Sequence, residues 1–132
     1  MKEIIITNEE QTLIKVVEKA SGIFYEQIKS NSREAEIVIA RNILGCLLRK
    51  ETSCTVKRAG LVVNRDHSSI VAYEREHEKN LKFYPAYKRV YEKALMINGN
   101  NNFRTTVEMD LIQQQIIQIE TSLKRIKKNI QC

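Results

Sequence analysis

Arg65, Asp66, His67, Ser68 and Ser69 stand in one unbroken run. Between them they hold a cation, a carboxylate, an imidazole and two hydroxyls. Two kinds of chemistry use such a set. One is nucleophilic catalysis, in which a base activates a hydroxyl and an acid orients the base. That constellation needs groups converging from separate directions, and neighbours on one helical turn cannot supply its geometry. The other is recognition by hydrogen bonding. Short polar side chains on the first turn of a helix can donate to and accept from base edges in a major groove. A cation just ahead of them can reach a phosphate. Asp-X-Ser is also an ordinary helix start, so the run alone does not choose between a reading turn and a plain helix entry.

The flanking segments favour the reading turn. Asp66 is a good N-cap residue, and its carboxylate is expected to accept the free amides of the first turn. The helix it opens should run to about Leu81, with Ile70, Tyr73, His77 and Leu81 facing inward and Glu74, Arg75, Glu76, Glu78 and Lys79 in solvent. His77 reads as a partly buried structural residue rather than a catalytic or metal-binding group. Upstream, Thr55 to Val62 is expected to form a short helix with Val56 and Ala59 inward, and Val63-Asn64 to form a tight turn. Gly60 allows the second helix to approach closely. Short helix, tight turn and a second helix opening with polar groups make a helix-turn-helix.

These elements need a framework, and the rest of the chain supplies one. Thr7-Asn8-Glu9-Glu10 is a helix entry, with acids suited to the positive end of the helix dipole. Leu13, Ile14, Val16, Val17 and Ala20 follow at helical spacing, and Gly22 is a C-terminal stop. Phe24 to Ile28 is expected to form a short helical turn packed back on that helix. After the polar loop Ser30-Asn31-Ser32, a long amphipathic helix is predicted from Arg33 to Lys50. Its core face is Ile37, Ala40, Ile43, Leu44, Leu47 and Leu48, with Cys46 beside it as a small hydrophobe. Glu34 and Glu36 at its start and Arg49-Lys50 at its end suit its dipole. Tyr84-Pro85 breaks the pattern, and Ala86 to Met96 forms a further helix.

The composition agrees. One Pro, four Gly and no Trp in 132 residues suit an all-α chain and argue against a sandwich or barrel. A net charge of +6 and a pI near 9.3 favour a polyanionic partner. Cys46, Cys54 and Cys132 are odd in number and widely spaced, which fits reduced thiols and a cytoplasmic location. No Cys/His cluster has zinc spacing, and neither a membrane span nor a signal peptide is visible. No cofactor is expected.

Residues 97–102, with the run Asn98-Gly99-Asn100-Asn101-Asn102, read as a linker. Phe103 to Ile130 is predicted to be one long helix. Its apolar residues Met109, Ile112, Ile116, Ile119, Leu123, Ile126 and Ile130 are spaced alternately by three and four, a heptad seam. Self-association as a coiled coil through Ile112, Ile116, Ile119, Leu123 and Ile126 is the first expectation, and folding back on the domain is the alternative. Lys124, Arg125, Lys127 and Lys128 suit the C-terminal end of its dipole.

From about Thr7 to Leu95, two-thirds of the chain, the sequence resembles the C-terminal DNA-binding domain of the bacterial replication initiator DnaA. The resemblance rests on Arg33-Glu34-Ala35-Glu36-Ile37-Val38-Ile39-Ala40-Arg41, on Arg65-Asp66-His67-Ser68-Ser69-Ile70 and on their separation. It implies a compact helix-turn-helix bundle over residues 1–96 that binds double-stranded DNA, in replication initiation, its regulation or transcription. Asp66, His67, Ser68 and Ser69 would read bases in the major groove. Arg33 would enter the neighbouring minor groove. Asn42, Arg49, Val56 and Lys57 would meet the phosphate backbone, with Arg65 beside them, while Arg41 is open between contact and structure.

Three departures from the family's pattern bear on specificity. The stretch Ser30-Asn31-Ser32-Arg33-Glu34-Ala35-Glu36 carries one base and two acids where the family loop before the long helix is rich in Lys and Arg. Ser68-Ser69 replaces the usual Thr-Thr, losing methyls that pack on thymine. Val63-Asn64 stands where Gly-Gly is usual. No Gly-rich phosphate loop with Lys-Ser/Thr occurs, so no nucleotide is expected. The expectation is a freestanding DNA-binding domain with its own tail at 103–132, as in a bacteriophage or mobile element of a bacterial cell. The rival expectation is an interaction protein that keeps the fold and works through the heptad helix.

Overall fold

The computed structural model describes residues 4–99 and 112–123, and every regular element among them is helical. The chain divides into two compact units, Met1–Asn100 and Asn101–Cys132. The first holds α1 (Asn8–Ser21), α2 (Tyr25–Ile28), α3 (Ala35–Thr52), α4 (Val56–Val63), α5 (His67–Phe83) and α6 (Pro85–Asn98). In the second, 112–123 is helical and is called α7.

The start of α1 is fixed reciprocally. The Thr7 hydroxyl accepts from the Glu10 amide at 3.2 Å, and the Glu10 carboxylate accepts from the Thr7 amide at 2.9 Å, which satisfies two donors the helix itself cannot. Gly22 ends α1 with φ 75°, the left-handed conformation that glycine adopts without a Cβ penalty. α2 then ties back. Its Tyr25 amide donates to Glu18 of α1 at 2.9 Å, and the Tyr25 hydroxyl donates to the Val62 carbonyl of α4 at 2.6 Å.

α3 is the hub, touched by each of the other five helices of its unit. Every residue from Ile43 to Leu48 is buried, so this helix is apolar almost all round, as a central helix should be. Ile14, Val16, Val17, Ile28, Ile43, Leu44, Leu47, Leu48, Val62, Val63 and Ile70 close the core with their side chains fully buried. Each such burial is worth about 1.5–3 kcal/mol. Burial also pushes the Cys46 thiol up to about 11, which keeps it protonated and inert. Gly45 lets α5 lie close on α3, since a Cβ there would stand 3.2 Å from the Tyr73 ring and 3.3 Å from Ile70.

Several boundaries differ from expectation. α3 starts at Ala35 rather than Arg33 and runs two residues past Lys50. α4 is shifted forward: Thr55 caps it, its hydroxyl accepting from the Arg58 amide at 3.1 Å, and Val63 is its last residue. Val63 is wholly buried, and packing it into the core carries the helix one residue further than the turn composition implied. The turn falls instead on Asn64, whose φ of 59° is one Asn tolerates better than most residues. α6 extends to Asn98, whose side chain is buried, so 97 and 98 form its end.

In α7 every side chain from 112 to 123 is exposed, Ile112, Ile116, Ile119 and Leu123 included. Ile126, and the expected helix on either side of 112–123, lie outside the described residues. Among the described residues no helix is long and apolar enough to cross a membrane.

Candidate nucleic-acid interface

The site is assembled on the corner between α4 and α5. α4 runs in from Thr55, and by helix geometry the amides at Val56 and Lys57 have no intrahelical acceptor. Val56 is half-buried and Lys57 exposed. At the far end, the Arg65 amide donates to the Gly60 carbonyl at 2.8 Å, and the Asn64 side chain donates to the Lys29 carbonyl at 3.0 Å. These bonds fix where α5 begins.

Asp66 occupies the N-cap position of α5 in extended conformation, but its side chain makes no capping bond. The expected use of the carboxylate is therefore corrected. It accepts instead from the Ser68 hydroxyl at 2.8 Å, and its other oxygen lies 3.1 Å from His67 Nδ1. The Ser68 hydroxyl and the imidazole reach the acid from within the same turn. The Ser68 hydroxyl, with His67 beside it, holds the Asp66 carboxyl below the usual carboxylate range, so the group stays ionised.

This three-residue mesh orders the turn. With Nδ1 directed to Asp66, His67 has Nε2 left to meet a partner in solvent, and its side chain is 63% exposed. The same mesh bears on catalysis. The Ser68 hydroxyl donates to Asp66 rather than to His67, so the three groups do not line up as hydroxyl, imidazole base and orienting acid. Ser69 is half-buried, and Ile70 is the first residue of α5 to enter the core.

Beside this turn lies the loop before α3, held by two arginines. Arg41 is buried, and its guanidinium donates to the carbonyls of Ile28 at 2.8 Å, Ser30 at 2.8 Å and Ser32 at 3.1 Å. Its open role is thereby settled as structural. Burial, and next the nearby Arg65 charge, pull its pKa down. Arg65 donates to the same Ser30 carbonyl at 2.6 Å and to the Asn64 carbonyl at 2.8 Å. A residue expected beside the phosphates thus also clamps the loop to the helix-turn-helix. The clamp leaves Arg33 exposed at the loop's edge, without a hydrogen bond or ion pair among the described residues.

Asn31, Ser32, Arg33, Arg41, Asn64, Arg65 and Asp66 line one cleft. It brings Arg33 to the adjacent pair Arg65 and Asp66, from which it is far in sequence. Asn42 sits half-buried on α3. Arg49 is half-exposed and pairs with Glu74 of α5 at 2.8 Å, while also donating to the Cys54 carbonyl. Neither Asn42 nor Arg49 lines the cleft.

Two supports were missed in the sequence. Arg58 of α4 donates to both carboxylate oxygens of Glu10, at 2.8 and 2.6 Å, and to the Ile5 carbonyl at 2.7 Å. It thereby ties the first helix of the helix-turn-helix to the N-terminus of the fold. Asn64 is the second, through Lys29. No periodicity marks either pair, because both partners are remote in sequence. His77 is structural as expected: Nδ1 lies 2.6 Å from the Tyr87 hydroxyl, and the ring meets Tyr91 edge-on at 4.6 Å between centroids.

The family model described as "Bacterial dnaA protein helix-turn-helix" matches residues 11–76, half of the chain. The chromosomal replication initiator protein DnaA of Oleidesulfovibrio alaskensis is 32% identical over 92 residues, covering 67% of this chain and 19% of that protein. The protein of the same name from Kosmotoga olearia is 27% identical over 63 residues, covering 48% of this chain and 14% of its own length. The chain thus spans a fifth or less of the relatives' length in these matches.

Proposed function

The chain belongs to the family of the bacterial DnaA helix-turn-helix domain, and from that premise we propose that it binds double-stranded DNA in a sequence-specific manner, in a role linked to replication initiation or its control. The observation that carries the reading is the exposed Asp66–His67–Ser68 mesh at the start of α5. It presents an ionised acceptor, an imidazole nitrogen and a hydroxyl on one turn, the groups that discriminate base edges in a major groove. Around it stand contacts that carry no sequence information but set register. The free amides of Val56 and Lys57 at the α4 N-terminus, and the Lys57 ammonium, suit a phosphate. Asn42 and Arg49 serve the backbone beside them. Arg33 enters the adjacent minor groove, where a narrow groove attracts a cation. Ser69 completes the reading turn.

The helical unit that ends with α6 at Asn98 is the reading unit, and the tail beyond it serves association. Self-association through Ile112, Ile116, Ile119, Leu123 and Ile126 would present several reading units together, to repeated sites.

Fluorescence anisotropy with two labelled duplexes tests the reading, one carrying an initiator-type box and one a scrambled sequence, at low and moderate salt. Tighter binding to the box is expected. Equal binding to both would reduce the claim to DNA binding without that site. No binding at low salt would favour the second reading, an interaction protein working through its tail. The observations favouring that alternative are Glu34 and Glu36, exposed acids at the start of α3, and the exposed apolar side chains of α7.

A further inference from the structure

The spacing of α7 fixes a heptad register. Ile112 to Ile116 is a step of four, Ile116 to Ile119 of three and Ile119 to Leu123 of four. A step of three runs from a to d and a step of four from d to a. Ile112 and Ile119 are therefore d residues, and Ile116 and Leu123 are a residues. All four side chains are about half exposed or more, at 53, 60, 48 and 54% respectively.

We infer that this helix assembles more than two copies of the chain, as a three- or four-stranded bundle. The proposal deepens the self-association reading and rests on it. Its first warrant is the residue type at d. Two-stranded parallel coils favour a β-branched residue at a and Leu at d. Ile at both positions, or Leu at a with Ile at d, shifts the preference to three or four strands. Here both d residues are Ile, and the a residues are Ile and Leu.

Its second warrant is the charge of the borders. The e and g positions are Gln113, Gln115, Glu120 and Ser122, with one charge among them. Charged e and g pairs are what select partner and orientation in two-stranded coils. Neutral amides and a hydroxyl lie against a further helix without stranding a charge. The occupant is another copy of the chain, because a 3.5-residue seam is complementary to helices that carry the same seam. A particle with three or four tails carries as many DNA-reading units and can hold several sites at once.

Sedimentation equilibrium of the full chain tests this. The expected mass is three or four times the 15.4 kDa of one chain. Twice that mass would overturn the bundle while leaving self-association standing, and a single-chain mass would overturn both. In the full-length variant Ile112→Leu, Ile119→Leu, Ile126→Leu, Leu123→Ile, the seam from 112 to 126 carries Ile at a and Leu at d, and the mass is expected to fall to two chains. An unchanged mass would overturn the seam as the determinant. Ile119→Asp is expected to give single chains, and persistent oligomers would place the association elsewhere. Anisotropy of that single-chain variant on one duplex reports DNA binding separately, so failure of the DNA reading is distinguishable from failure of the bundle.

Discussion

The Arg65 amide donates to the Gly60 carbonyl at 2.8 Å, and a Cβ on Gly60 would stand 2.5 Å from the Arg65 carbonyl oxygen. The backbone leading into the reading turn thus lies directly on α4 at the one residue with no side chain. In an exposed helix interior, Gly→Ala gains up to about 1 kcal/mol. Here the methyl meets backbone, and overpacking costs about 1–3 kcal/mol. Gly60→Ala is expected to lower the urea midpoint with an unchanged slope and to weaken DNA binding further by displacing Asp66 and His67. A variant as stable as the wild type would contradict the close approach.

Arg58 and Glu10 form the other fixed point of α4. The Arg58 hydrogen bonds, more than any other influence, hold the Glu10 carboxyl below its ordinary range. A depressed carboxylate stabilises the fold fully above the ordinary value near 4.3 and loses that contribution as pH falls through the folded value. Urea midpoints measured from neutral pH downward should therefore fall more steeply below about pH 4.5 in the wild type than in Glu10→Gln. Arg58→Met leaves a buried carboxylate without its cation. The expected cost is about 3 kcal/mol, the low end for a broken buried pair, since Arg58 keeps part of its surface in water. Parallel acid limbs for wild type and Glu10→Gln would remove the linkage.

What was legible in the sequence follows from which interactions are local. The entry of α1 could be read from Thr7 and Glu10 because a capping box spans three residues. The core face of α3 could be read from Ile37 to Leu48 because burial repeats at the helical period. Asp66 was legible as a cap position, whereas its carboxylate was not legible as the acceptor of Ser68, because hydroxyl and amide compete for it at similar range. The clamps of Arg41 and Arg65 on the Ser30 carbonyl join positions 11 and 35 residues apart. No pattern along the chain distinguishes an arginine aimed at a loop from one aimed at a phosphate. Val63 was lost to the turn because Val-Asn composition says less than the core volume its side chain fills.

His67 is expected to carry specificity rather than general affinity. With Nδ1 3.1 Å from Asp66, its other ring nitrogen is a directional group left open to solvent. His67→Ala should weaken binding to the preferred duplex by about 1–3 kcal/mol, the range for a lost base contact, and leave the scrambled duplex nearly unaffected. The side chain is largely in solvent, so thermal stability should stay within about 0.5 kcal/mol of wild type. Equal losses on both duplexes would make His67 a backbone contact instead.

Lys57 tests the phosphate side of the interface, and the expected signature differs. Its side chain is exposed at the second position of α4, where the helix dipole and the unpaired amides already favour an anion. A cation that neutralises one phosphate releases about one counterion, so its loss lowers affinity for every sequence and flattens the salt dependence by about one in the log–log slope. Lys57→Ala should therefore weaken the preferred and scrambled duplexes by the same factor at low salt, with the difference from wild type shrinking as salt rises. Lys57→Arg should restore both the affinity and the slope, because only the charge is required there. An unchanged slope in Lys57→Ala would move the phosphate contact off the α4 N-terminus and leave Arg33 and Arg49 to carry it.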